Sequence, residues 1–214
     1  MSKEKEVVIR SLPAAFETRE ENGMGIIEGR PVVLNSVTDL GFCDEVIDSR
    51  ALIGTDLTDV RLCLNHVTDY VYARSRQNNG NSTMQLFVDE AGLRFVASLN
   101  IESSPKAQDY YSAVKRGDMD KMSFMFSIDG YEWENLESDH PTRRITKIGT
   151  IYEISAVTFP AYNSTSIEAR DASVLESIRR ELESTRAKRF KSPDGDPLAL
   201  ERAKFNFKMK FGGK

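Results

Sequence analysis

Between residues 7 and 158 the chain is built almost entirely of short apolar runs that alternate in steps of two. That is the period of β-strands with one face turned to a core. Strand patterns fall at residues 7–12, 25–35 (bent at Gly29), 45–48, 60–66, 70–74, 122–128, 144–148 and 150–158. Residues 84–88 and 93–99 flank Asp89-Glu90-Ala91-Gly92 and read as a hairpin. A single internal segment has helical spacing. Ala107, Tyr110, Tyr111 and Val114 lie between Pro105 and Gly117, with the proline at the start and the glycine past the end. Roughly ten strands without regular strand–helix alternation exclude a doubly wound fold. The pattern predicts a mainly β chain with helices (α+β), arranged as a closed or nearly closed β-barrel.

The 214 residues are 40% apolar, enough for a core, and no apolar run approaches the length of a membrane-crossing helix. The first residues, Met1-Ser2-Lys3-Glu4-Lys5-Glu6, lack the apolar centre of a signal peptide, so a cytoplasmic setting is expected. Cys43 and Cys63 are too few for a zinc motif or a disulfide framework and read as small buried hydrophobes. The net charge of −4 divides into −8 over residues 1–170 and +4 over residues 171–214. An acidic body argues against nucleic acid as its partner. Three regions are therefore expected: a lead-in at 1–24, a β domain at 25–170, and a basic helical or flexible tail at 171–214. In the tail Val174, Leu175, Ile178 and Leu182 repeat at helical spacing, residues 191–197 break that helix, and the part beyond Pro197 looks detachable.

The stretch from Met119 to Phe126 is the natural place for chemistry. Ser123, Met125 and Ser127 share one face of its strand, and Phe124, Phe126 and Ile128 share the other. An aromatic face in the core would leave a hydroxyl on a rigid element, opposite that core, which suits a nucleophile. An imidazole base for it has two candidates, His66 and His140. His140 stands in the polar loop Ser138-Asp139-His140-Pro141 and reads as a surface residue. His66 ends an alternating strand, where it is either a base or a rim histidine satisfied by a carbonyl. Glu153 interrupts an apolar strand. Facing inward it needs a partner, for which a histidine serves; facing outward it needs none. Asp69 and Asp89 are reserve acids. Cys63 and His66, three apart on a strand, would point to opposite faces. The chain has no phosphate-binding glycine loop and no zinc-hydrolase motif, so no cofactor or metal is expected, and the absence of a Gly-x-Ser-x-Gly elbow disfavours an esterase or amidase on small substrates.

These pieces, taken in order, resemble the prohead maturation proteases of tailed bacteriophages from about Gly25 to Arg170. The resemblance rests on Gly29-Arg30-Pro31-Val32-Val33, Glu45-Val46-Ile47 with Ala51, Leu64-Asn65-His66, and Asp89-Glu90-Ala91-Gly92-Leu93. It also rests on Met122-Ser123-Phe124-Met125-Phe126 and on the run from Glu153 through Thr158 to Tyr162. It implies a serine endopeptidase related to the herpesvirus assemblins, a β-barrel surrounded by helices. Ser123 would be its nucleophile, His66 its base and Glu153 its third member. The herpesvirus relatives use a second histidine there, for which only His140 is available, so an acid is preferred. Met125 departs from the glycine of many relatives. The resemblance also implies action inside the procapsid in the bacterial host. The expected substrates are scaffold protein, the N-terminal part of the major capsid protein, and the chain itself, with self-cleavage expected near residues 187–192. A homo-oligomer is compatible with this reading. The competing expectation is a non-catalytic capsid-assembly or scaffold β-barrel in which the Ser123 strand is purely structural.

Overall fold

The computed structural model of the protein describes residues 6–158 and 168–190. Its elements in chain order are β1 (Glu6–Pro13), β2 (Glu17–Glu21), β3 (Met24–Val33), β4 (Val37–Asp39), β5 (Asp44–Ile47), β6 (Asp59–Leu64) and β7 (Ala73–Arg76). There follow β8 (Met84–Asp89), β9 (Gly92–Asn100), α1 (Pro105–Lys115), β10 (Lys121–Glu134), β11 (Thr142–Val157) and α2 (Glu168–Phe190). The fold is mainly β with two helices, an α+β chain.

The strands make two sheets. The larger runs β1-β10-β11-β5-β4, with β6 joined to β11 and β7 to β6; the smaller runs β2-β3-β9-β8. Among the described residues the ladders do not close, so a closed barrel is not present. Alternation in a sequence tells which face of a strand is buried; it does not tell which edges find partners. Apolar faces of both sheets meet in one core. Ile27, Val32, Phe95 and Leu99 come from the small sheet, and Phe124, Phe126, Ile151 and Ile154 from the large one. The Phe124 and Phe126 rings stack 4.6 Å apart.

The hairpin at Asp89 forms as its turn residues predict. Asp89 Oδ1 accepts from the N–H groups of Ala91 (2.9 Å) and Gly92 (3.1 Å). Gly92 has φ +137°, and a Cβ there would lie 2.0 Å from the Val32 carbonyl oxygen, so no other residue fits. The helix signals also hold: Ser104 Oγ accepts from Ala107 N–H, and Ala107, Tyr110, Tyr111 and Val114 are the buried face of α1.

Several elements differ from the sequence reading. The segments expected at 144–148 and 150–158 are one continuous strand, β11. The strand expected at 70–74 is shifted to β7, leaving Tyr70 and Val71 exposed. The first half of β10 is buried on both faces: Ser123 and Ser127 on one side have no exposed surface, and neither have Phe124 and Phe126 on the other beyond about 1%. β2, almost wholly polar, gave no apolar period and is held by its backbone ladder to β3.

The helix expected around residues 173–188 is α2. Ile178 and Leu182 pack with Leu40, Phe42, Cys43 and Leu136 in a second cluster. The Arg186 guanidinium donates to the carbonyls of Leu136 (2.8 Å) and Ser138 (2.6 Å). Residues 187–190 thus continue a docked helix, whereas residues 191–214 lie outside the described residues.

Candidate active site

The site is assembled on β11. Its second half lies between β10, antiparallel, and β6, parallel. In register, Ser155 stands opposite Ser123 on one side and opposite Cys63 on the other. Directly opposed residues project to the same face, and so do residues two apart on a strand. Ser123, Ser155 and Glu153 therefore share one face by topology alone.

His66 reaches that face from a turn rather than from the end of a strand. β6 stops at Leu64, and Asn65 and His66 both adopt left-handed backbone, φ 50° and 60°. Such a conformation costs a bulky residue about 1–3 kcal/mol and survives only where its surroundings impose it. Here β11 imposes it. Asn65 N–H donates to the Ala156 carbonyl (3.0 Å), Asn65 Oδ1 accepts from Thr158 N–H (2.9 Å), and His66 N–H donates to Ser155 Oγ (3.2 Å). The fold swings the imidazole back over β11.

The His66 ring then lies between two partners. Nε2 is 2.7 Å from Ser123 Oγ, and Nδ1 is in close contact with Glu153 Oε1. The other oxygen of Glu153, Oε2, accepts from Ser155 Oγ at 2.6 Å. Glu153 is buried, so the inward orientation holds and its partner is the histidine; the His66 side chain keeps 11% of its surface exposed. Ser123 Oγ also stands 3.0 Å from the Arg10 carbonyl. A hydroxyl has a single proton, so the Arg10 oxygen and His66 Nε2 compete for it.

The remaining candidates are elsewhere. His140 Nε2 lies 3.1 Å from Asp44 Oδ1 on a partly exposed loop. Asp89 is held by both Arg30 nitrogens at 2.6 and 2.7 Å, and that hydrogen bonding lowers its carboxyl to about 2. Asp69 is exposed. Cys63 is buried beside the site, and burial, helped by the Glu153 charge, pushes its thiol up to about 12. It stays protonated, a small apolar filler at neutral pH.

Two parts of the site carried no signal in the sequence. Ser155 is one, a small residue in an apolar strand. The other is the support under Arg10. Its guanidinium is paired with both oxygens of Glu45, which also accepts from Arg143 (3.2 Å). Arg143 continues to Glu6 (2.8 Å) and to Glu181 of α2 (3.2 Å). Burial works to raise the Glu45 carboxyl, but the two arginines outweigh it and hold the group below its ordinary range. Alternating strands gave no hint that three charged side chains, Arg10, Glu45 and Arg143, would meet inside.

No curated protein and no solved structure matched the chain in comparison searches. A family model described as Caudovirus prohead serine protease matches residues 13–180, a span that takes in Ser123, His66 and Glu153 together with most of both sheets. The chain belongs to the caudovirus prohead serine protease family.

Proposed function

We propose that this chain is a serine endopeptidase of capsid maturation in which Ser123 is the nucleophile, His66 the general base and Glu153 the residue that orients and charge-balances His66. The observation that carries this is the unbroken line Ser123 Oγ–His66 Nε2 and His66 Nδ1–Glu153, drawn from three separate segments onto one face. With Nδ1–H given to Glu153, Nε2 presents its lone pair to the Ser123 hydroxyl. As Oγ attacks a peptide carbonyl, His66 takes its proton and then passes it to the leaving amine. Water, deprotonated by the same nitrogen, releases the acyl group. Because Ser123 has no exposed surface, a peptide reaches Oγ only when a neighbouring segment yields.

Membership of the family supports capsid proteins as substrates and the interior of the procapsid as the place of action. The scaffold protein, the N-terminal part of the major capsid protein and the chain itself are the proposed targets. Segment 171–214 is proposed to carry a scaffold contact, its first part docked on the body through Ile178 and Leu182 of α2. Self-cleavage is proposed near residues 187–192, of which 187–190 belong to α2 and 191–192 lie outside the described residues.

A second reading has an observation in its favour: the complete burial of Ser123 and the bond from its hydroxyl to Arg10 suit a purely structural serine in an assembly protein. Intact-mass analysis of the full-length chain over time, with and without capsid and scaffold proteins, separates the two. Processing that disappears in Ser123→Ala establishes the protease. Chains and partners that stay whole in both establish the structural role.

A further inference from the structure

We propose that Ser155 is a positioning residue of the site, the group that fixes both the carboxylate and the backbone on which His66 depends; this rests on the roles proposed for Ser123, His66 and Glu153. Three observations meet in one side chain. Ser155 Oγ donates its single proton to Glu153 Oε2 at 2.6 Å. The same oxygen accepts the His66 backbone N–H at 3.2 Å. The residue is fully buried, so water cannot take over either bond.

The consequence follows from what each partner needs. A carboxylate on a freely turning side chain presents its oxygens to the imidazole in many orientations. Anchoring Oε2 leaves Oε1 as the oxygen that faces Nδ1 and sets its direction. His66 meanwhile holds a left-handed backbone, φ 60°, from which its ring is aimed. The N–H that Ser155 receives is the one belonging to that residue. Ser155 and Glu153 are two apart on β11, so one rigid strand supplies the acid and its clamp. Ser155 is not a rival nucleophile, since its proton points to a carboxylate and not to an imidazole nitrogen.

The test uses the full-length chain and an alkyl fluorophosphonate, which labels only activated serines, together with proton NMR of the His66 ring. Only two histidines exist, so the far-downfield Nδ1–H signal of a carboxylate-bound imidazole is readily assigned, and it can be followed in Ser123→Ala without any activity. A lost hydrogen bond to a charged group predicts labelling about ten- to a hundredfold slower in Ser155→Ala. Ser155→Thr, which keeps the hydroxyl, restores labelling to within about threefold of wild type. The downfield signal of Ser123→Ala is lost when Ser155→Ala is added. In a Glu153→Gln background Ser155→Ala adds little, because both act through one carboxylate. Should Ser155→Ala fail to fold, Ser155→Cys, near in volume and a poor donor, carries the same expectations.

Wild-type labelling and an intact downfield signal in Ser155→Ala overturn the proposal, as do losses that multiply fully in the double variant. If Ser123→Ala is labelled as fast as wild type, the assignment of the nucleophile falls, and with it the role given to Ser155. If Ser123→Ala is unlabelled while Ser155→Ala behaves as wild type, only the Ser155 proposal falls.

Discussion

The Arg10 carbonyl oxygen stands 3.0 Å from Ser123 Oγ while the Arg10 guanidinium is locked, inside the protein, onto Glu45. The backbone that faces the nucleophile is thus held by a buried ion pair on the same residue. Removing the acid leaves Arg10 and Arg143 without it in the interior. Glu45→Ala should destabilise the chain by about 3–5 kcal/mol, measured by denaturant unfolding. Loss of well under 1 kcal/mol would mean that the pair does not brace β1.

The same carboxylate sets an acid limit. Its pKa is lower in the folded chain than its ordinary value of 4.5. Its contribution to stability is therefore complete above that value and fades as pH falls through the lower, folded one. Thermal melts taken from neutral pH down past about pH 4 should show a steep loss in the wild type. The slope should be shallower in Glu45→Gln, which starts less stable but has no charge to lose there.

At the proposed site the three roles make unequal predictions. Ser123→Ala and His66→Ala should abolish self-processing and fluorophosphonate labelling. Glu153→Gln, which retains shape but no longer fixes the tautomer, should lower the labelling rate by about 10³–10⁴-fold with the fold intact. Combining Glu153→Gln with His66→Ala should add almost nothing to the loss from His66→Ala alone. Independent, multiplying losses would argue that the three side chains do not act as a unit.

Asn65 allows the turn beneath His66 to be tested separately. Its φ of 50° favours Asn or Gly, and its Oδ1 also accepts from the Thr158 N–H. Asn65→Gly should lose only the side-chain bond, and Asn65→Ala should lose that bond and gain backbone strain of about 1–2 kcal/mol. The expected order of melting temperature and of labelling rate is wild type, then Gly, then Ala. Equal effects of the two substitutions would show that strain at this turn is not what aims the imidazole.

How legible all this was depends on what each residue announces locally. Phe124 and Phe126 alternate with Ser123, so the strand and its core face could be read directly. Glu153 stood out because a carboxylate in an apolar strand demands a partner. The meeting of Ser123, His66 and Glu153 depends on β11 pairing with β10 in one direction and β6 in the other, and no local pattern states strand order. Ser155 was silent for a different reason: a serine beside Ile154 and Ala156 looks like filler until its two partners are known. Closure failed as an expectation because periodicity reports faces, whereas a barrel is a property of edges.

The C-terminal helix separates the sequence expectation of an appended tail from its packing. Val174, Leu175, Ile178 and Leu182 have helical spacing, and a helix that merely links body to tail would tolerate their loss. In the fold Ile178 and Leu182 are each about 1% exposed and cover Leu40, Phe42, Cys43 and Leu136, while Glu181 reaches Arg143 and accepts from the Trp133 indole N–H at 2.6 Å. Truncating either buried side chain to alanine should therefore cost about 2–5 kcal/mol. A chain ending at residue 170 would bare that apolar cluster and remove one partner of a buried arginine, so it should unfold earlier and aggregate. A chain ending at residue 190 should melt like the full-length protein. If the chain ending at 170 also melts like the full-length protein, α2 belongs to the tail and not to the body.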